Sequence, residues 1–274
     1  FPTRRSSDLE INVTNMNSMF MYCYALKSLD VTGFKTDNVT NMNSMFWDCS
    51  GLTDLDVTKF KTDNVTTMYG MFLGCSGLKD LDVTGFKTDN VTNMGYMFYG
   101  CSGLTDLDVT RFKTDNVMRM FGMFHDCRSL TSLDLTGFKT DNVMDMFEMF
   151  NGCSGLTTIY VGNDWNTAAV TNGGKMFTGC SKLVGGAGTT YNATHTDHAY
   201  ARIDGGADNP GYFTLKVKGD LSGDGKVYED DVEVLESVVM GGDKNKLAGA
   251  DLNGDGKVDA ADIVMLVNMN ISRK

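Results

Sequence analysis

No run of apolar residues in this chain is long enough to cross a membrane as a helix. There is no basic stripe either: 24 Lys and Arg stand against 35 Asp and Glu, a net charge of −11, which argues against nucleic acid as a partner. Histidine is scarce. The three present, His125, His195 and His198, form no His-Glu-x-x-His pattern, and there is no Gly-x-Ser-x-Gly elbow and no phosphate loop. His195 and His198 fall in Gly/Thr-rich sequence, where a metal contact is conceivable but isolated histidines are usually surface residues. Cys₄ zinc spacing is missing, and no two-carboxylate glycosidase site can be located. These absences lead to the expectation that the chain is not an enzyme.

The charge is unevenly placed. Residues 219–274 hold twelve acids and six bases, so a fifth of the 274-residue chain carries −6 of the −11. The cause is a segment present twice. Residues 220–231 read Asp-Leu-Ser-Gly-Asp-Gly-Lys-Val-Tyr-Glu-Asp-Asp, and residues 251–262, 31 positions on, read Asp-Leu-Asn-Gly-Asp-Gly-Lys-Val-Asp-Ala-Ala-Asp. Oxygen-bearing side chains at positions 1, 3, 5 and 12, with Gly at position 6, make the spacing of an EF-hand-like calcium loop. Hard Ca²⁺ takes six to eight oxygens, and Gly allows the sharp turn around it. The other reading, turn-forming Asp/Gly segments without metal, leaves several carboxylates crowded with no cation. Loop two has four carboxylates at ligand positions, counting Asp259, against three in loop one, so it is expected to bind more tightly.

An amphipathic helix fits after each loop, with Val232, Leu235, Val238 and Val239 on one face, and Ile263, Leu266 and Val267 on the other copy's. Residues 212–218 before the first loop look extended. Loop-then-helix, twice, with Asp rather than Glu at position 12, resembles the type I dockerin domain. The resemblance implies a small calcium-folded domain that docks to a cohesin on another protein, and hence secretion. It implies two calcium ions. The first would be held by Asp220, Ser222, Asp224, the Lys226 carbonyl and Asp231, the second by Asp251, Asn253, Asp255, the Lys257 carbonyl, Asp259 and Asp262. In dockerins, positions 10 and 11 help choose the cohesin. Here they are Glu229 and Asp230 in one copy, Ala260 and Ala261 in the other, which predicts one dominant binding orientation.

Most of the chain is a repeat. Cysteines fall at 23, 49, 75, 101, 127 and 153, each 26 apart, and then at 180. A period of 26 lies in the leucine-rich-repeat range. Met42, Met45, Phe46 and Cys49 recur at i, i+3, i+4, i+7, predicting a short helix, and Leu55-Asp56-Val57 alternates as a strand does. A single unit cannot bury its apolar stripe, so neighbours must stack. The expected fold is therefore an α/β repeat solenoid, with one short helix and one short strand per unit, followed by a small all-α dockerin. Residues 10–183 would form the repeats, 184–214 their cap, 215–218 a linker and 219–274 the dockerin. Residues 1–9 fit nothing that follows and read like a translated sequencing adapter, so the true N-terminus, with any signal peptide, is expected to be lost.

The Met-Phe-x-x-Cys-x-x-Leu-x-x-Leu-Asp-Val and Phe-Lys-Thr-Asp-Asn-Val runs resemble the BspA-like surface-protein class of leucine-rich repeats. Residues 200–213 look like the closing segment common after such repeats. That resemblance implies a secreted or surface protein, adhesin-like, that binds proteins or cell surfaces without catalysis. An alternative is a glycan-targeting accessory of a polysaccharide-degrading complex.

Equal positions of stacked units form columns. Asp30, Asp56, Asp82, Asp108 and Asp134 would make an acidic strand face, either a site for a basic partner or a solvated face offset by the Lys35 to Lys139 column. The cysteines are better read as small buried hydrophobes than as disulfides, being odd in number and on a buried face. The Asn-Val-Thr tripeptides at Asn12, Asn38, Asn64 and Asn90 match glycosylation sequons, though an Asn satisfying loop backbone groups is the better account. Outside the repeating pattern stand Tyr22, Trp47, Tyr69, Tyr96, Tyr99, Phe121, His125 and Phe147. Of these Trp47, Tyr69, Tyr96 and Tyr99 are candidate partner-binding residues, partial burial between turns being the alternative.

Overall fold

The structure is a computed structural model, and it describes residues 13–217, 219–221, 227, 229–241, 250–252 and 257–271. Successive repeats lie side by side and parallel. Bridges join Asn15 to Asn41, Asn41 to Thr67, Thr67 to Asn93, Asn93 to Arg119, Arg119 to Asp145 and Asp145 to Asn172. The expected short helix in each unit is not there: among the described residues of the repeats, the Met-x-x-Met-Phe segment is a run of turns. Its amides alternate. Those of Ser44, Phe46 and Asp48 donate to the carbonyls of Tyr69, Met71 and Leu73 in the next unit at 2.8, 2.9 and 2.6 Å. Those between them bond back three residues, Trp47 to Ser44 at 3.2 Å and Cys49 to Phe46 at 3.0 Å.

An α-helix sends all its bonds back along its own axis. Here every second amide must point at the neighbouring unit instead. The chain manages this with two left-handed residues per unit, such as Ser44 and Asp48 (both φ 54°) or Gly70 (59°) and Gly74 (72°). The apolar periodicity survives because the turns still face Met42, Met45, Phe46 and Cys49 inward, each 0% exposed.

The expected strand is hydrogen-bonded as a sheet only near the end of the array. There β1 (Ser132–Leu135), β2 (Thr158–Val161) and β3 (Phe213–Leu215) make a parallel sheet in that order, with Leu133 opposite Ile159 and Ile159 opposite Phe213. At the other end a single bridge, Ser28 to Asp54, marks the same position. Inside runs a column of phenylalanines: Phe20, Phe46, Phe72, Phe98, Phe124, Phe150 and Phe177 stack with centroids 5.6 to 5.8 Å apart and planes within 13°. The last ring is covered edge-on by Tyr212 at 5.1 Å and Phe213 at 5.8 Å, and Trp165 closes over Phe213 at 5.0 Å.

A second core lies beyond. Val217, Val227, Leu235, Ala250, Leu252 and Leu266 are buried together, with Leu215 of β3 packed against them. Two helices contribute, α1 (Glu229–Val239) and α2 (Ala260–Ile271). Residues 213–215 are extended, as residues 212–218 were expected to be. On α1, Leu235 and Val238 face inward as expected, with Val232 and Val239 half-buried. On α2, Leu266 is buried and Ile263 half-buried, but Val267 is 37% exposed. At 100° per residue, Val267 is carried past the edge of the buried face.

Candidate calcium loops and an aromatic face

Both position-12 carboxylates, Asp231 and Asp262, are fully buried. They make the same bond. Asp231 Oδ1 accepts the Leu221 amide at 2.8 Å, and Asp262 Oδ1 accepts the Leu252 amide at 2.7 Å. Each bond ties position 12 to the backbone of position 2 and so closes its loop. In loop two Asp262 Oδ2 also accepts the Asp259 amide at 2.9 Å, while Asp259 Oδ1 accepts the Ala261 amide at 2.8 Å and caps α2. Asp251, at position 1, pairs with Arg111 of the repeats at 3.5 Å. Ser222, Asp224, Lys226, Asn253 and Asp255 lie outside the described residues. Among the described residues alone, no three acidic, His or Cys side chains gather as a metal site. The donor chemistry fits calcium: each loop carries side-chain oxygens at positions 1, 3, 5 and 12, the hard donors that ion takes.

The candidate aromatics of the repeats come together. Trp47 meets Tyr69 at 6.3 Å, Tyr69 meets Tyr96 at 5.8 Å, and Tyr96 meets Tyr99 edge-on at 5.3 Å. Phe121 joins them, 4.8 Å from Tyr96 and 6.0 Å from Tyr69. In two columns rings alternate with glycine: Tyr69, Gly95 and Phe121 in one, Gly70, Tyr96 and Gly122 in the other. A Cβ on Gly95 would lie 2.7 Å from Phe121, and one on Gly122 would collide with Tyr96. All these rings are half-buried. His125 lies 4.3 Å from Tyr99, with Nδ1 buried, 3.5 Å from Glu148 and without a hydrogen bond. Burial lowers its pKa, against the pull of Asp126 and Glu148. Tyr22 stands apart, stacked on Tyr24 and 49% exposed.

The acidic column is occupied locally. Asp30, Asp56, Asp82, Asp108 and Asp134 each accept the hydroxyl, at 2.6 to 2.7 Å, and the amide of the Thr two residues on. The Thr hydroxyls and amides hold Asp30 and Asp56 below the usual carboxylate range. Compensation thus comes from these turns rather than from the lysine column. Lys139 pairs instead with Asp115 at 3.1 Å, and Asp134 is reached by Lys216 at 2.7 Å. Cys49, Cys75, Cys101, Cys127, Cys153 and Cys180 are buried, each with Sγ against a Phe carbonyl of the preceding unit at 2.9 to 3.1 Å. Burial pushes the thiols up, Cys49 to about 11 and Cys101 to about 12. Asn64 and Asn90 donate to the carbonyls of Asp37 and Asp63 one unit earlier, at 2.7 and 2.8 Å.

Two devices escaped the sequence reading. Thr62, Thr88, Thr114 and Thr140 are buried, and each hydroxyl both donates to a carbonyl and accepts an amide of the next unit, filling a gap in the backbone ladder. The recurrence of Thr in Phe-Lys-Thr-Asp was the available signal. The other is Asp204, which accepts from the amides of Ala187, Thr189, Gly206 and Gly211 and from the Thr189 hydroxyl. Burial works to raise its pKa, but these bonds outweigh it and hold the carboxyl at about 2.

Stacked repeats followed by two loop-helix copies define a BspA-like repeat array joined to a type I dockerin domain, and the dockerin model matches residues 218–269. The family described as "Mycoplasma protein of unknown function, DUF285" matches residues 8–80 and 76–191, and the chain belongs to it. Type I dockerin domains bind calcium and cohesin domains. A crystal structure of a leucine-rich repeat protein from Bacteroides ovatus is similar at 19% identity with a TM-score of 0.32. The match covers 63% of this chain and 57% of that one, so the chain spans little more than half of that protein. No curated protein matches the chain.

Proposed function

We propose that this is a non-catalytic, secreted or cell-surface binding protein of adhesin type. Its repeats engage a protein or surface, and its dockerin, loaded with two calcium ions, tethers it to a cohesin-bearing scaffold. The ions would be held by Asp220, Ser222, Asp224, the Lys226 carbonyl and Asp231, and by Asp251, Asn253, Asp255, the Lys257 carbonyl, Asp259 and Asp262. The observation that supports this most is the repeated closure, a fully buried position-12 carboxylate bonded to the position-2 amide in both loops. Calcium at these loops supplies positive charge where Asp231 and Asp262 are withdrawn from water. Calorimetric titration of Ca²⁺ into the full chain tests it. Two binding events are expected, the tighter lost in Asp262→Ala and the weaker in Asp231→Ala; a chain that takes up no calcium ends the tethering role.

A second reading, a glycan-targeting accessory of a polysaccharide-degrading complex, draws on the clustered rings of Trp47, Tyr69 and Tyr96. Alanine at these three separates the readings. Lost binding to polysaccharide favours the accessory, and lost binding to protein favours the adhesin. No loss of either makes the repeats a spacer.

A further inference from the structure

The two dockerin helices are matched position by position, 31 residues apart, and their inward faces agree: Asp231 with Asp262, Val232 with Ile263, Leu235 with Leu266. Their outward faces do not. On α1 the exposed arc carries Glu229, Asp230, Glu233 and Glu236. The same four positions on α2 are Ala260, Ala261, Val264 and Val267, all exposed, and Met265 lies beside them. Val264 is 61% exposed and Met265 36%, an uncharged apolar strip on a small acidic domain. Folding does not require it, because α1 packs the same inward face without one.

We propose that α2, and not α1, is the face that meets the cohesin, and that the cohesin surface opposite it is apolar. This rests on the tethering reading above. Interface cores are depleted in charge, and burying an apolar strip is favourable. Turning the domain round to press α1 against the same apolar surface would strip water from the exposed carboxylates of Asp230, Glu233 and Glu236, a large penalty. The two orientations are therefore unequal, and α1 remains in solvent when the complex forms.

The test is calcium-saturated full chain against a panel of purified type I cohesin modules, by calorimetry. Wild type is compared with Val264→Glu/Val267→Glu on α2 and Glu233→Ala/Glu236→Ala on α1, each shown by circular dichroism and calcium titration to keep its fold. The α2 variant is expected to bind about a hundredfold more weakly, as loss of a central apolar contact does, and the α1 variant to stay within about threefold. Equal losses in the two variants, or a loss confined to the α1 variant, would overturn the choice of face while leaving tethering intact. A wild-type chain that binds no module overturns tethering and this occupant together. A wild-type dimer in sedimentation that ignores cohesin and dissociates in the α2 variant would assign the strip to a second copy of the chain instead.

Discussion

The repeat stack and the dockerin solve the same problem in opposite ways. In the stack, every unit lends its neighbours amides, a threonine hydroxyl and one face of a phenyl ring, so each unit is supported by the next. Among its described residues the dockerin has no such row. Its core is small, and its two loops are each closed by one buried carboxylate. One half draws its stability from contacts between its own units, while the other, on the function proposed above, is completed by calcium.

Four experiments would break or sharpen that contrast. The largest effect is expected from chelation. Removing calcium from the full chain should melt the dockerin and leave the stack folded, seen in scanning calorimetry as loss of one transition only. At a thousandfold excess over its Kd, each ion should supply about 4 kcal/mol; two transitions that move together would defeat the division. Phe98→Ala, in the middle of the ring column, should cost about 4 kcal/mol and shift the other transition alone.

Asp204→Ala should cost about 3 kcal/mol by leaving the amides of Ala187, Thr189 and Gly206 without their acceptor. Because the folded Asp204 carboxyl sits at about 2, below its ordinary 3.8, its contribution is complete above pH 3.8 and fades as pH falls toward 2. An acid titration of unfolding should show that loss in the wild type and not in the variant. The smallest effect is expected from Thr114→Val, about 1 kcal/mol in urea unfolding, because its hydroxyl carries two bonds to Lys139. A neutral result would mean that the backbone ladder tolerates the gap.

What could be read from the sequence was whatever repeats with a period. The 26-residue step placed the buried faces of Met42, Phe46 and Cys49 correctly, and the twelve-residue spacing singled out Asp231 and Asp262, which are buried alike. The backbone was harder. Turns bonding back three residues present nearly the same faces as helical turns, so the spacing of Met42, Met45 and Phe46 could not tell them apart. The left-handed residues that decide the matter are Ser44 and Asp48 in one unit and Gly70 and Gly74 in the next, an irregular mixture with no clear signature. Trp47, Tyr69, Tyr96 and Tyr99 were recognisable because they break the pattern. That Phe121 would lean across Gly95 to meet Tyr69 depended on stacking distances no spacing reveals.

One short strand belongs to both halves. β3 pairs in parallel with β2 through Phe213 to Leu215, while Leu215 also packs into the dockerin core. A displacement of the dockerin is therefore felt first at β3, and through it at β2 and at Phe177, the last ring of the column. The joint between the two halves is a shared strand, so the end of the stack is also the root of the dockerin.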